Sequence, residues 1–229
     1  MNYLRPILIM LILSFSSESF HAQDWANLQR FKEENSNLSN PDPLENRVVF
    51  MGNSITEGWA KWRPEFFEGK PYVNRGISGQ TTPQMLLRFR QDVINLKPSA
   101  VVILAGINDI AGNTGPSTIE MILDNLISMA ELAVVNDIKV IFCSVLPAKD
   151  FPWRPGLEPA EKVVQLNALL RDYTLERGLV YVDYFSVMVD DSNGLKENLG
   201  YDGVHPNALG YSVMEPLVEE GIKKVFERN

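Results

Sequence analysis

Val48-Val49-Phe50-Met51-Gly52-Asn53-Ser54 is an apolar run that stops at a glycine, an asparagine and a serine. Four consecutive apolar residues bounded by turn formers suit a strand buried on both faces, and Gly-Asn-Ser suits the point where such a strand hands the chain to a helix. Working outward from it, strand-like segments fall at 47–51, 71–75, 100–105, 139–145 and 179–183, the second being the weakest. Stretches with helical spacing separate them, which is the pattern of βαβ units. The expected fold is α/β: a three-layer, flavodoxin-like, doubly wound five-stranded parallel sheet with helices on both faces. In such sheets ligands bind beyond the carboxyl ends of the strands, so functional residues are expected just after them.

The helical stretches carry their own boundaries. Thr82 before Pro83 reads as a cap, Ser117-Thr118-Ile119-Glu120 fits a capping box, and Gly178 after Arg177 fits the end of a helix that starts near Pro159. A last helix is expected from about Asn207 to about Phe226, with a kink or break at Pro216.

The chain divides into an export signal over 1–22, an N-terminal helix and loop over 23–46, and one domain over 47–229. Arg5, the apolar stretch Ile7 to Phe15 and the small and polar residues up to Ala22 form the signal pattern, with cleavage expected near Ala22-Gln23. The apolar stretch is too short for a membrane anchor, which needs about 20 residues. The following helix is expected around Trp25 to Glu34.

Composition narrows the partners. A net charge of −8, with Lys223-Lys224 as the densest basic spot, excludes a phosphate-tracking surface for nucleic acid. The sole cysteine, Cys143, lies inside the run Val140-Ile141-Phe142 and reads as a buried thiol. No cysteine stands near Ala22 to receive a lipid. Nothing in the sequence signals an oligomeric state.

Outside the export signal, which holds His21, the chain has one histidine, His205, in Tyr-Asp-Gly-Val-His-Pro-Asn. Imidazole acid/base chemistry near neutral pH therefore has a single address. Asp202 stands three residues before it, placed to accept the second ring proton across one turn. Ser54, on the tight turn after the first strand, offers an uncrowded hydroxyl and a backbone N–H at a helix start. Asn108, in Gly106-Ile107-Asn108-Asp109, offers a side-chain N–H, and Gly79, in Asn74-Arg75-Gly76-Ile77-Ser78-Gly79, a backbone N–H with nothing in front of it. Together these are the parts that serine ester hydrolysis requires. Each also has an ordinary reading: Ser54 as a helix cap, His205 as a solvated loop residue, Asn108 and Gly79 as turn formers.

The four blocks in this order, Gly-Asn-Ser, Gly-x-x-Gly, Gly-x-Asn-Asp and Asp-x-x-His, resemble the SGNH hydrolases, also called GDSL-type esterases and lipases. The nearest branches are the platelet-activating-factor acetylhydrolase-like and carbohydrate acetylesterase-like ones, and the likeness runs from about Arg47 to Ile222. The resemblance implies Ser54 as nucleophile, His205 as base, Asp202 as its carboxylate, and Ser54, Gly79 and Asn108 as oxyanion donors, with no metal and no organic cofactor. One departure is visible: the family's usual acid before the serine is Asn53 here.

Other residues are weaker candidates. Trp153, in Phe151-Pro152-Trp153-Arg154-Pro155, suits stacking on substrate, and Arg75 suits either a nearby carboxylate or the substrate. Phe66 and Phe67 read as packing. Asp190-Asp191-Ser192-Asn193-Gly194 lacks the bidentate Glu of a calcium loop and reads as a turn. The expectation is an exported esterase acting on a short-chain, acetyl-type ester of a small molecule or glycan. A lysophospholipase, an acyl-thioesterase and a non-catalytic carbohydrate-binding module are the rivals.

Overall fold

The computed structural model describes residues 24–227 apart from Pro43, so the predicted export signal lies outside the described residues. Strands β1 (Val48–Gly52), β2 (Tyr72–Gly76), β3 (Ala100–Leu104), β4 (Lys139–Cys143) and β5 (Val180–Val182) form one sheet in the order β2-β1-β3-β4-β5. All four pairings are parallel. The helices are α1 (Lys32–Asn37), α2 (Ser54–Trp62), α3 (Thr82–Asp92), α4 (Ile107–Ile110), α5 (Ile119–Val134), α6 (Ala160–Glu176), α7 (Phe185–Met188) and α8 (Ala208–Glu227). Helices α2 and α8 pack together on one face of the sheet, and α3, α5 and α6 pack in a row on the other. This is the expected three-layer architecture.

Every residue of β1 and β3 is buried, which explains their unbroken apolar runs: a central parallel strand has no solvent face on which to place a polar residue. The helices above supply matching stripes, for example Ile122, Leu126, Met129 and Ala133 on α5. Cys143 is buried at the end of β4, and burial pushes its thiol up to about 12, so it stays protonated and inert.

Several local expectations are corrected. Strand β4 stops at Cys143 rather than 145, because the Asn167 carboxamide takes over the backbone of Val145, accepting from its N–H at 2.7 Å and donating to its carbonyl at 2.9 Å. The N-terminal helix starts at Lys32 rather than Trp25. Asn27 adopts a left-handed φ of 55°, and the Asp24 carboxylate accepts from the N–H groups of Leu28 and Gln29, so this stretch is a string of turns. The cap of α3 is Thr81, in a reciprocal box with Gln84, and Thr82 is already helical. Likewise Thr118, not Ser117, caps α5. Helix α8 runs on through Pro216, so of the kink or break expected there the break does not occur. Gly178 ends α6 with a φ of 65°, as read from the sequence.

One close approach sets the position of the Gly52-Asn53-Ser54 turn. A Cβ at Gly76 would stand 2.7 Å from the Glu57 Cα, so only glycine lets the first turn of α2 lie against the end of β2.

Candidate active site

Asn53 has the geometry of an N-cap: its side-chain oxygen accepts from the Ile55 N–H at 3.0 Å. That leaves Ser54, the first helical residue, with its hydroxyl free of capping duty, and the hydroxyl lies 2.9 Å from His205 Nε2. The cap needs an acceptor but no charge, which is why asparagine serves where an acid is usual. Its Nδ2 is buried with no partner among the described residues.

The loop before α8 presents the other two residues. Asp202 Oδ1 accepts from the backbone N–H groups of Val204 at 3.0 Å and His205 at 2.8 Å, and its Oδ2 lies 2.7 Å from His205 Nδ1. Gly203 supplies the positive φ, 82°, that closes this turn. Burial pushes the Asp202 carboxyl up, but the bonds from the His205 N–H, the imidazole and the Val204 N–H outweigh it and hold the group below the usual carboxylate range. Asp202 is therefore ionised at neutral pH and orients the ring with a proton on Nδ1, leaving Nε2 as acceptor for Ser54.

The loops after β2 and β3 are stitched to each other. Asn108, 3% exposed, donates one Nδ2 hydrogen to the Gln80 carbonyl at 2.9 Å and keeps a second. Asn113 donates to the Gly79 carbonyl at 3.1 Å, and the Thr81 and Thr114 hydroxyls meet at 2.9 Å. Asp109 accepts from the Thr82 N–H at 3.0 Å and the Thr82 hydroxyl at 2.6 Å. Burial pushes the Asp109 carboxyl up to about 6 against those two bonds, which lower it. Gly79 has a φ of 77° with open space where a Cβ would be, a conformation that admits little besides glycine.

Arg88 on α3, wholly buried, joins these loops to the Gly52-Asn53-Ser54 turn. Its Nη2 donates to the carbonyls of Gly52 at 3.1 Å and Arg75 at 2.9 Å, its Nε to Gln80 at 2.5 Å, and its Nη1 to Asp92 at 3.0 Å. Desolvation lowers its guanidinium to about 10 in spite of Asp92, so it remains charged at neutral pH. Arg88, Asp92 and Gln80 are not among the residues expected at the site, and Asp109 enters that expectation only as the last position of the Gly-x-Asn-Asp block. A signal existed for the first two, since both lie on the buried stripe 85-88-89-92 of α3, where charges at i and i+4 must pair.

An aromatic rim flanks the imidazole. Tyr201 lies nearly parallel to it at 5.6 Å and 13°, Trp62 stacks on Tyr201 at 5.9 Å, and Trp153 sits 5.8 Å from the imidazole at 43°. These three rings are 58%, 43% and 44% exposed. Trp153 thus stands beside the imidazole. Arg75 is not free to face substrate: it donates to Asn35 at 2.9 Å and lies 4.6 Å over the Phe31 ring. Phe66 and Phe67 pack around Phe50, and the Asp190 carboxylate closes its own turn by accepting from Ser192 and Gly194.

The model of the GDSL-like lipase/acylhydrolase family matches residues 50–213. The chain belongs to that family, which places it among the carboxylic ester hydrolases. A GDSL-like lipase from Bacteroides thetaiotaomicron is 49% identical in its crystal structure, with a TM-score of 0.85, the match covering 87% of this chain and 98% of that one. An acetylxylan esterase from Xylanibacter ruminicola is 24% identical over 80% of this chain, and an uncharacterized lipoprotein from Bacillus subtilis is 26% identical over 63% of it. The chain spans about half the length of these two curated relatives, 45% and 58%.

Proposed function

We propose that the chain is an exported serine esterase that hydrolyses short-chain esters, acetyl esters foremost, carried on carbohydrate. The observation that carries this reading is the relay from the Ser54 hydroxyl through both nitrogens of His205 to Asp202, at 2.9 and 2.7 Å. In the proposed cycle Ser54 Oγ attacks the ester carbonyl while His205 Nε2 takes its proton. The oxyanion is held by the N–H groups of Ser54 and Gly79 and by the second Nδ2 hydrogen of Asn108. The tetrahedral adduct expels the alcohol, which receives the proton from Nε2, and water repeats the sequence to release the acid and restore Ser54. These steps use no metal and no organic cofactor.

The alcohol is the part of the substrate that the aromatic rim selects. Because Nε2 hands its proton to the leaving oxygen, the alcohol lies on the His205 side, next to Tyr201, Trp62 and Trp153. Exposed Trp and Tyr rings suit the apolar face of a sugar, while in an adjoining groove of about 500 Å³ the carboxylates of Asp150, Glu158, Asp190 and Asp202 outnumber the one cation among the described lining residues, Lys149, and disfavour a phosphate headgroup. The acetylxylan esterase among the relatives supports the same substrate class. Export is supported by the Met1–Ala22 pattern and by the relative named a lipoprotein.

The test is acetate release from acetylated xylo-oligosaccharides and hydrolysis of acetyl and octanoyl aryl esters by wild type, Ser54→Ala and His205→Ala. The expected result is activity on the acetyl substrates that both variants abolish while remaining folded. Near-native rates in either variant would refute the assignment, and a strong preference for octanoyl would favour the lysophospholipase or thioesterase reading.

A further inference from the structure

We propose that Gln80 is a positioning residue that fastens the oxyanion donors to a strap formed by residues 24–39, which makes this strap part of the catalytic scaffold although it lies outside the family match at 50–213. The inference rests on the assignment of Gly79 and Asn108 to the oxyanion hole.

Gln80 is 3% exposed, and both ends of its carboxamide are engaged. Its Nε2 donates to the Ala26 carbonyl at 2.7 Å, and its Oε1 accepts from Arg88 at 2.5 Å. Its own carbonyl receives Asn108 at 2.9 Å, and it directly follows Gly79. One residue thus touches the strap, the buried guanidinium and both loop donors. The need for such a fastening follows from the loop itself. Asn113 and Glu57 hold the carbonyl of Gly79 and the N–H of Ser78, but Gly79 itself, with its positive φ and no side chain, is the most permissive point of the loop, and oxyanion donors act only when held in place before the charge develops.

The strap is docked by contacts that do not involve the catalytic loops. Phe31 is buried between the guanidinium groups of Arg30 and Arg75, 4.5 and 4.6 Å from its ring. Asn35 donates to Asp92 at 2.7 Å and accepts from Arg75 at 2.9 Å, and Gln91 on α3 donates to the Leu28 carbonyl at 2.6 Å. The part of the strap before α1 is a string of turns, so it has main-chain carbonyls to offer, and the side-chain amides of Gln80, Gln84 and Gln91 donate to them. The Ala26 carbonyl is thereby a fixed point against which Gln80 is held.

Gln80→Leu keeps the side chain's bulk and removes both carboxamide bonds. Phe31→Ala loosens the strap without substituting any residue of the catalytic loops. Turnover of 4-nitrophenyl acetate is measured at a temperature where circular dichroism shows each variant folded, with kcat expressed per site labelled to completion by a fluorophosphonate. The expected result is a kcat lowered about tenfold or more in Gln80→Leu and about threefold or more in Phe31→Ala, with KM within about twofold of wild type. The pH dependence of kcat/KM stays unchanged, because Asp202 and His205 are untouched. Gln80→Glu, which keeps the acceptor for Arg88 and loses the donor to Ala26, falls between Gln80→Leu and wild type.

A merely structural residue would lower the melting temperature and leave kcat per labelled site within about twofold. That result in either variant overturns the proposal, and Phe31→Ala decides alone if Gln80→Leu does not fold. A wild-type protein that neither labels at Ser54 nor cleaves the aryl ester would instead remove the esterase reading and this inference together.

Discussion

The loop that presents Asp202 and His205 is closed by bonds among residues 198–207, whereas the loops that present Gly79 and Asn108 depend on Gln80, which reaches a carbonyl 54 positions back in the chain. On the first side one carboxylate does most of the organising, binding two backbone N–H groups and the imidazole. The residues are partly open, with the Asp202 and His205 side chains 25% and 18% exposed. On the second side a buried guanidinium ties the ends of β1 and β2 to the loop after β2, and nothing in that network is open to water. A local, half-exposed device tolerates change around it; a buried network transmits change throughout. Removing a part from the first should cost chemistry and little stability, and removing a part from the second should cost both.

The largest effect is expected at Asp202. Asp202→Asn keeps an acceptor for the backbone but no longer enforces the tautomer with Nε2 free, so kcat should fall about 10⁴-fold. Thermal unfolding should change by less than about 1 kcal/mol, because the residue is partly solvated. A comparable loss of stability would break the contrast. Next comes Arg88→Met, which leaves Asp92 buried without its guanidinium partner and the Gly52 and Arg75 carbonyls short of a donor. Urea unfolding should show a loss of about 3–5 kcal/mol, and an unchanged midpoint would refute the network's role.

A pH measurement sharpens the same comparison. Asp109, between the two loops, has a folded pKa of about 6 against an ordinary 3.8. A raised folded value means that the folded state holds its proton longer. Its contribution to stability is full below the ordinary value and is lost as pH rises through about 6. Asp109→Asn should therefore flatten the stability profile across that window, by about 3 kcal/mol relative to wild type. Parallel profiles for the two proteins would contradict this. Asp202 has the opposite sign, its stabilisation being lost as pH falls below the usual carboxylate range. The smallest effect is expected at the rim: Trp153→Ala should raise KM about tenfold for an acetylated xylo-oligosaccharide and hardly alter that for 4-nitrophenyl acetate. Equal effects on both would remove Trp153 from the alcohol side.

The same contrast explains what could be read from the sequence. The 48–54 stretch was legible because a strand covered on both faces leaves a continuous apolar run, and the Asp202–His205 pair because its partners lie three positions apart. The strands fall within two residues of their expected ends, and the misfit at β4 comes from a tertiary bond by Asn167. The N-terminal stretch was misread for a related reason: turns closed by Asp24 and a left-handed Asn27 carry no periodicity to distinguish them from a frayed helix. The pairing of Arg88 with Asp92 could have been inferred from their shared buried stripe, but Gln80 looks ordinary in sequence, and its role and the bonds of Arg88 to the Gly52 and Arg75 carbonyls exist only once α3 is laid across the ends of β1 and β2. The rim was half legible: Trp153 stood out among prolines, while Tyr201, next to Asp202, gave no sign that it would lie against the imidazole.

The central claim is that distant turns make Ser54 a nucleophile activated by His205. Incubation with a fluorophosphonate followed by peptide mass analysis tests it directly. The account predicts a single adduct on the Ser54 peptide of the wild-type protein and labelling slowed by orders of magnitude in His205→Ala. No adduct on Ser54, or equal labelling rates in the two proteins, would contradict it.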